Sequence, residues 1–99
     1  MNKKILSIDT TDYGSIEFSL TGQSETQKRS YKITPQESDK ILDYLEIFFK
    51  AEKISHPELE IKKIYIYKGP GSFTGLRIGA AIAQALSLAW RIPLQVLKK

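Results

Sequence analysis

The stretch Gly69-Pro70-Gly71-Ser72-Phe73-Thr74-Gly75-Leu76-Arg77-Ile78-Gly79 decides how this chain folds. It follows a β-type run, Ile64-Tyr65-Ile66-Tyr67, and opens an apolar helical run that reaches Trp90. A strand must therefore become a helix within a few residues. Glycine permits this, because without a Cβ it accepts positive φ and lets another part of the chain come close. A glycine loop at a helix N-terminus also aims N–H groups outward, which suits an anion. In one reading Gly71, Ser72, Thr74, Gly75 and Arg77 hold a phosphate; in the other the loop is a packing turn. A Walker A loop would need Lys after its last glycine, and Leu76 follows Gly75. A Rossmann fingerprint fails as well, since the glycines stand at 69, 71 and 75 and no acid follows to bind a ribose. The packing turn is the preferred reading.

Working outward from the loop, the second helix spans about 76–91 and is stopped by Pro93, with a short last strand over 94–97. Upstream, strands are expected over 3–9, 15–20, 24–33 and 61–67. Residues 15–20 alternate strictly between Ile16, Phe18, Leu20 and Ser15, Glu17, Ser19, the pattern of a half-buried strand. Thr10 to Gly14 form the hairpin turn before it. The strand over 24–33 is mostly polar, as suits an edge strand protected against sheet extension. Thr34-Pro35-Gln36-Glu37 carries a capping hydroxyl, Pro at the first helical position and Glu three after the cap, so the first helix is expected over about 35–53.

The resulting order, β-β-β-α-β-α-β, is α/β in class and, with its strand–helix–strand units, implies parallel pairing beside the early hairpins. One parity of the strands is apolar (Leu6, Ile8, Ile16, Phe18, Leu20, Ile64, Ile66) and the other is not. Both helices therefore belong on one face of a mixed five-stranded sheet, and the opposite face is expected to be solvated or covered by a partner.

The helices carry more apolar surface than one sheet face needs. The apolar arc is roughly 220° on the first helix and 240° on the second, against about 100° for a helix lying on a core. Gly79, Ala83 and Ser87 line one edge and allow close helix approach. The surplus marks a partner interface, for which Tyr44, Ile47, Phe48, Ala51, Gly79, Ala83, Leu86, Ser87 and Trp90 are the candidates.

Composition narrows the chemistry. The 99 residues make one domain with a core just large enough to fold alone, and the absence of cysteine removes disulfides, thiolate nucleophiles and cysteine metal sites, which fits a cytoplasmic chain. The N-terminal run is too short for a signal peptide and the run from Leu76 to Trp90 too short and too polar for a membrane span. Net charge is +4, but residues 61–99 hold seven basic residues and no acid. With three arginines and no dense cluster, charge alone does not argue RNA binding.

Asp9 ends the first strand, where a nuclease would place a catalytic acid; a two-metal site needs further carboxylates, and the fourth strand offers none. Turn chemistry for Asp9 and Asp12 is the simpler account. His56 is the sole histidine and cannot by itself hold zinc; serines are plentiful, but with one possible base no Ser–His–acid set can be argued. Tyr65 and Tyr67 could stack on nucleobases, but filling the polar sheet face is the simpler role.

The loop 69–79 resembles the signature of the TsaB (YeaZ) family of transfer-RNA threonylcarbamoyladenosine synthesis, and Ile5-Leu6-Ser7-Ile8-Asp9-Thr10-Thr11 is similar to that family's first strand and turn. The sister family TsaD shares the Gly-Pro-Gly start but not the continuation Ser72-Phe73-Thr74-Gly75. The resemblance implies an actin-like ATPase subdomain, related to ribonuclease H. It also implies a non-catalytic subunit that activates threonylcarbamoyl transfer by binding a TsaD-like catalytic partner. It further implies a homodimer through the helices, a TsaE-like ATPase as a further candidate partner, indirect contact with tRNA, and no membrane. Residues 1–99 are expected to form one subdomain, with the family's second subdomain absent. No catalytic, metal or cofactor residue is expected in this chain, and ATP or its products would enter only in a complex. Gln36-Glu37-Ser38 lacks the histidine often found at that point in the family. The alternative reading is a metal-dependent nuclease or phosphate-handling domain using Asp9 and the glycine loop.

Overall fold

A hairpin starts the sheet. In the computed structural model, which describes residues 3–69 and 74–98, β1 (Lys4–Asp9) and β2 (Ser15–Thr21) pair antiparallel with Leu6 opposite Leu20 and Ile8 opposite Phe18. The turn between them is closed by Asp12, whose Oδ1 accepts the Gly14 N–H at 3.0 Å. β3 (Thr26–Lys32) pairs with β2 and forms one sheet edge, the position its polar composition suggested, with six of its seven residues exposed. β4 (Ile61–Lys68) runs parallel to β1, and β5 (Leu94–Lys98) parallel to β4, giving the order β3-β2-β1-β4-β5.

The first helix begins differently from expectation. Pro35–Lys40 is a 3₁₀ helix, and α1 proper covers Ile41–Ala51. The cause is local: the Glu37 N–H bonds the Thr34 carbonyl three residues back at 2.9 Å, and this six-residue stretch has no apolar side chain to register on the core. The Glu37 carboxylate accepts both the N–H and the hydroxyl of Thr34, at 3.0 and 2.9 Å, which holds its pKa below the usual range. α1 closes with a Schellman motif: Ile54 N–H reaches the Phe49 carbonyl at 2.8 Å and Lys53 sits at φ 60°. A single turn, α2 (Pro57–Glu60), then leads into β4. α3 (Thr74–Trp90) ends the same way, with Arg91 at φ 56° and Ile92 N–H on the Ser87 carbonyl at 3.1 Å.

Both long helices lie on the apolar face. Leu6, Ile8, Ile16, Phe18, Leu20, Ile64 and Ile66 are buried there against Ile41, Leu45 and Phe48 of α1 and Ala83 of α3. Phe18 meets Phe48 at 5.5 Å between ring centroids, tying the sheet to α1, and Phe49 meets Trp90 at 6.3 Å, tying α1 to α3. Arg29 Nε donates to Glu52 Oε2 at 2.6 Å, tying the edge strand to the end of α1; this bond raises the guanidinium pKa. No described helix is long and apolar enough to cross a membrane.

Candidate functional site

Two stretches singled out in the sequence meet at the C-terminal end of β1. A Cβ on Gly69 would lie 3.0 Å from Thr11 Cγ2, and a Cβ on Gly79 would lie 2.7 Å from Thr10 Oγ1 and 2.9 Å from Thr10 Cγ2. The first and last glycines of the loop are thus required by the two threonines of the first turn. Thr10 is 3% exposed, and its hydroxyl has no hydrogen-bond partner among the described residues. Gly79 was expected to let another helix approach; what it admits is the turn after β1. Gly71 and Ser72, two of the anion candidates, lie outside the described residues, as does the side chain of Thr74, while Gly75 falls in the first turn of α3. Arg77 is exposed on α3.

Asp9 is buried and serves the turn: its Oδ1 accepts the Thr11 N–H at 3.0 Å and the Thr11 hydroxyl at 2.6 Å. The register places Glu17 opposite it, a neighbour that a search along β4 overlooks. Asp9, Glu17, Ser7, Ser19, Lys28 and Tyr67 line a pocket of about 180 Å³ on the sheet face away from the helices. Serines supply its floor, so small side chains on the two middle strands make the depression. Ser7, Asp9 and Ser19 are nevertheless buried, so this face is less open than its polarity implied. Glu17 is engaged by Ser30, whose Oγ donates at 3.2 Å, and by Lys28 at 3.8 Å. Among the described residues no group of three or more His, Cys, Asp or Glu is placed to hold a metal ion. His56 is exposed at the start of α2, with Glu58 3.7 Å from its Nδ1.

The candidate interface residues divide. Phe48, Gly79 and Ala83 are buried within the chain and are not surface, because α1 and α3 seat them against the sheet and the first turn. Tyr44, Leu86 and Trp90 are half-buried on the edge of the same core, and Ser87 donates to the Ile92 carbonyl at 2.6 Å, finishing α3. Ile47, half exposed at 50%, and Ala51 remain on the surface. The exposed apolar stripe of α3 is a different one, made by Ala81, Ala85 and Leu88, the last 80% exposed. Its sequence signal was available: Leu88 lies four residues after Gln84 and three before Arg91, inside the polar stripe of the helix.

A protein-family model described as "TsaD: tRNA N6-adenosine threonylcarbamoyltransferase" matches residues 32–98. The chain belongs to the TsaD-type family. Within it, the chain is similar to "tRNA threonylcarbamoyladenosine biosynthesis protein TsaB" of Buchnera aphidicola subsp. Schizaphis graminum. That similarity is 35% identity, covering 95% of this chain and 43% of the relative. The protein of the same name from Buchnera aphidicola subsp. Baizongia pistaciae is 36% identical over 94% of this chain and 41% of its own length. The TsaB-like chain thus spans less than half the length of these curated relatives. "YeaZ from Pseudomonas aeruginosa" superposes with a TM-score of 0.82 at 20% identity, over 97% of this chain and 44% of that one. That likeness fits the actin-like, ribonuclease H-like fold of a TsaB-type sheet. In this chain the Gly69–Thr11 and Gly79–Thr10 packing brings the glycine loop and the first turn together.

Proposed function

We propose that this TsaB-like chain is a non-catalytic subunit in tRNA threonylcarbamoyladenosine biosynthesis, acting by docking on a TsaD-like catalytic partner. The observation that carries the reading is Leu88: a leucine 80% exposed on an otherwise well-packed helix, flanked by Ala81 and Ala85, is a surface that gains from being covered. Small flanking residues let a partner helix come close, and a single large side chain supplies an anchor. Ile47 and Ala51 of α1 add apolar surface. The same surface serves self-association, so a homodimer and the complex with the catalytic partner would compete. The family and the relatives' names support the pathway; the burial of Asp9 in turn hydrogen bonds supports a role without catalysis by that acid.

Light scattering of the chain mixed with the TsaD-like protein of the same organism tests this. A complex is expected with the native sequence, and its loss with Leu88→Lys, a surface change that leaves the unfolding free energy within about 0.5 kcal/mol of the parent. Neither a complex nor a dimer with the native chain would sink the proposal.

A further inference from the structure

We infer that the free edge of β5 is a docking site for an extended, acidic segment of a partner protein, which adds a strand to the sheet. β5 lies at one end of the order β3-β2-β1-β4-β5, so one of its sides has no neighbouring strand. The hydrogen bonding says which groups face that side. The Ile64 N–H donates to the Pro93 carbonyl at 3.0 Å, and alternate residues of a strand bond the same neighbour. Residues 93, 95 and 97 therefore turn to β4, and the N–H and C=O of Leu94, Val96 and Lys98 point to the open side. Those are the groups to which an added strand bonds.

The two edges of the sheet are built differently. β3 carries Lys28, Arg29 and Lys32, a usual defence against stray pairing. β5 has no charge inside it: Lys98 is its last residue, and its register with β4 is unbroken from Ile64–Leu94 to Lys68–Lys98. Val96, in the middle, is 58% exposed, although Leu94 two residues earlier packs against the core. An unguarded apolar edge of this kind gains from being paired.

Charge selects the occupant. On β3, Lys28 lies 3.8 Å from Glu17 and Arg29 donates to Glu52 at 2.6 Å, so the chain neutralises its own cations at that edge. Around β5 stand Lys68, Arg91 and Lys98, all exposed, and none of the three is paired with a carboxylate among the described residues. No acid occurs from residue 61 onward. A second copy of β5 laid antiparallel would bring Lys98 of each copy toward Arg91 of the other, which like charges oppose. An acidic strand meets no such cost. Side chains alternate, so Leu94, Val96 and Lys98 share the helix side of the sheet with Ile64, Ile66 and Lys68. A segment with an apolar residue opposite Val96 and an acid two residues to either side fits that row. One acid then meets Lys98 and Lys68, and the other lies toward Arg91.

This edge is a different surface from Leu88, and the inference does not rest on the complex proposed above. The test is amide hydrogen exchange and NMR titration of the protein with the peptide Thr-Glu-Thr-Val-Thr-Glu-Thr, and with the same peptide carrying Lys for Glu. The Val96 and Lys98 amides should exchange freely in the protein alone and become protected by the Glu peptide. The Gln95 and Leu97 amides, which face β4, should change little. The Lys peptide should protect neither set. Val96→Pro removes one outward N–H at an edge position where proline is tolerated, and should abolish binding with the fold kept. Lys98→Glu leaves the backbone edge whole; it should weaken the Glu peptide about 2- to 5-fold and let the Lys peptide bind. Protection of Val96 and Lys98 before any peptide is added would mean that this protein covers its own edge, through a second copy or another of its segments, and would overturn the proposal. So would equal binding of both peptides, no binding, or binding that ignores Val96→Pro. Leu88→Lys should leave peptide binding unchanged, so a failure here and a failure of the Leu88 complex are read separately.

Discussion

Replacing Gly79 by alanine should destabilise the protein even though alanine is the better helix former. The new Cβ would lie 2.7 Å from Thr10 Oγ1 and 2.9 Å from Thr10 Cγ2, and Thr10 is buried, so it cannot swing into solvent. Either α3 or the turn after β1 has to move. Overpacking of this kind costs about 1–3 kcal/mol, and the helix gains about 1 kcal/mol from losing a glycine. With two atoms inside 3.0 Å the clash should win, for a net loss of up to about 2 kcal/mol. In a domain of this size that lowers the melting temperature by up to about 15 °C. Thr10→Ala removes both clashing atoms and a buried hydroxyl that has no partner among the described residues, leaving the Cβ of residue 10 at 3.3 Å as the nearest atom. In that background Gly79→Ala should be neutral or stabilising by up to about 1 kcal/mol. Urea or thermal unfolding of the four proteins closes the cycle, with a coupling of about 1–3 kcal/mol expected between the sites. Equal effects of Gly79→Ala in both backgrounds, or a stabilised single variant, would refute the reasoning.

Two further predictions concern the helix ends. Arg91→Gly should raise stability by about 0.5–1 kcal/mol, since a left-handed residue other than glycine is strained and glycine's extra chain entropy offsets part of the gain; Arg91→Ala, tested by thermal unfolding, should give no such gain. Glu37→Gln should lower stability near neutral pH through loss of the charged acceptor for Thr34. Because the folded-state pKa of Glu37 is depressed, the difference from the parent is present above the ordinary carboxylate pKa. It should vanish as pH falls through the depressed value, and unfolding followed from pH 7 to pH 3 reads it; a difference that persists in acid would count against the charge.

Much of the fold was written in local pattern. Alternation at Ile16, Phe18 and Leu20 named the buried face of β2, and Pro93 marked the end of α3, because each is a matter of one residue and its near neighbours. The 3₁₀ start at Pro35–Lys40 was not legible: the sequence put the helix cap at Thr34, yet α1 begins only after Lys40, and the Thr34 hydroxyl donates to the Glu37 carboxylate instead of accepting a helix N–H. The left-handed ends at Lys53 and Arg91 were also invisible, since neither residue announces positive φ. The candidate surface fared worst. An apolar arc wider than a sheet requires says that something is left over, but it does not say which flank. Phe48 and Ala83 went to the core, and Leu88 was left outside.

By itself, the sequence determined the α/β class, the order of strands and helices, and the family, because these rest on periodicity, turn chemistry and two short motifs. Tertiary structure decided what those motifs are for. Gly69 and Gly79 lie far from Thr10 and Thr11 along the chain, and only the parallel pairing of β1 with β4, with α3 laid back across them, brings each glycine against its threonine. It also set Glu17 opposite Asp9 and gathered residues from four strands into one polar pocket. Which apolar residue stays in water is settled the same way. Burial is a property of the assembled layers, and no single helix carries that information in its own pattern.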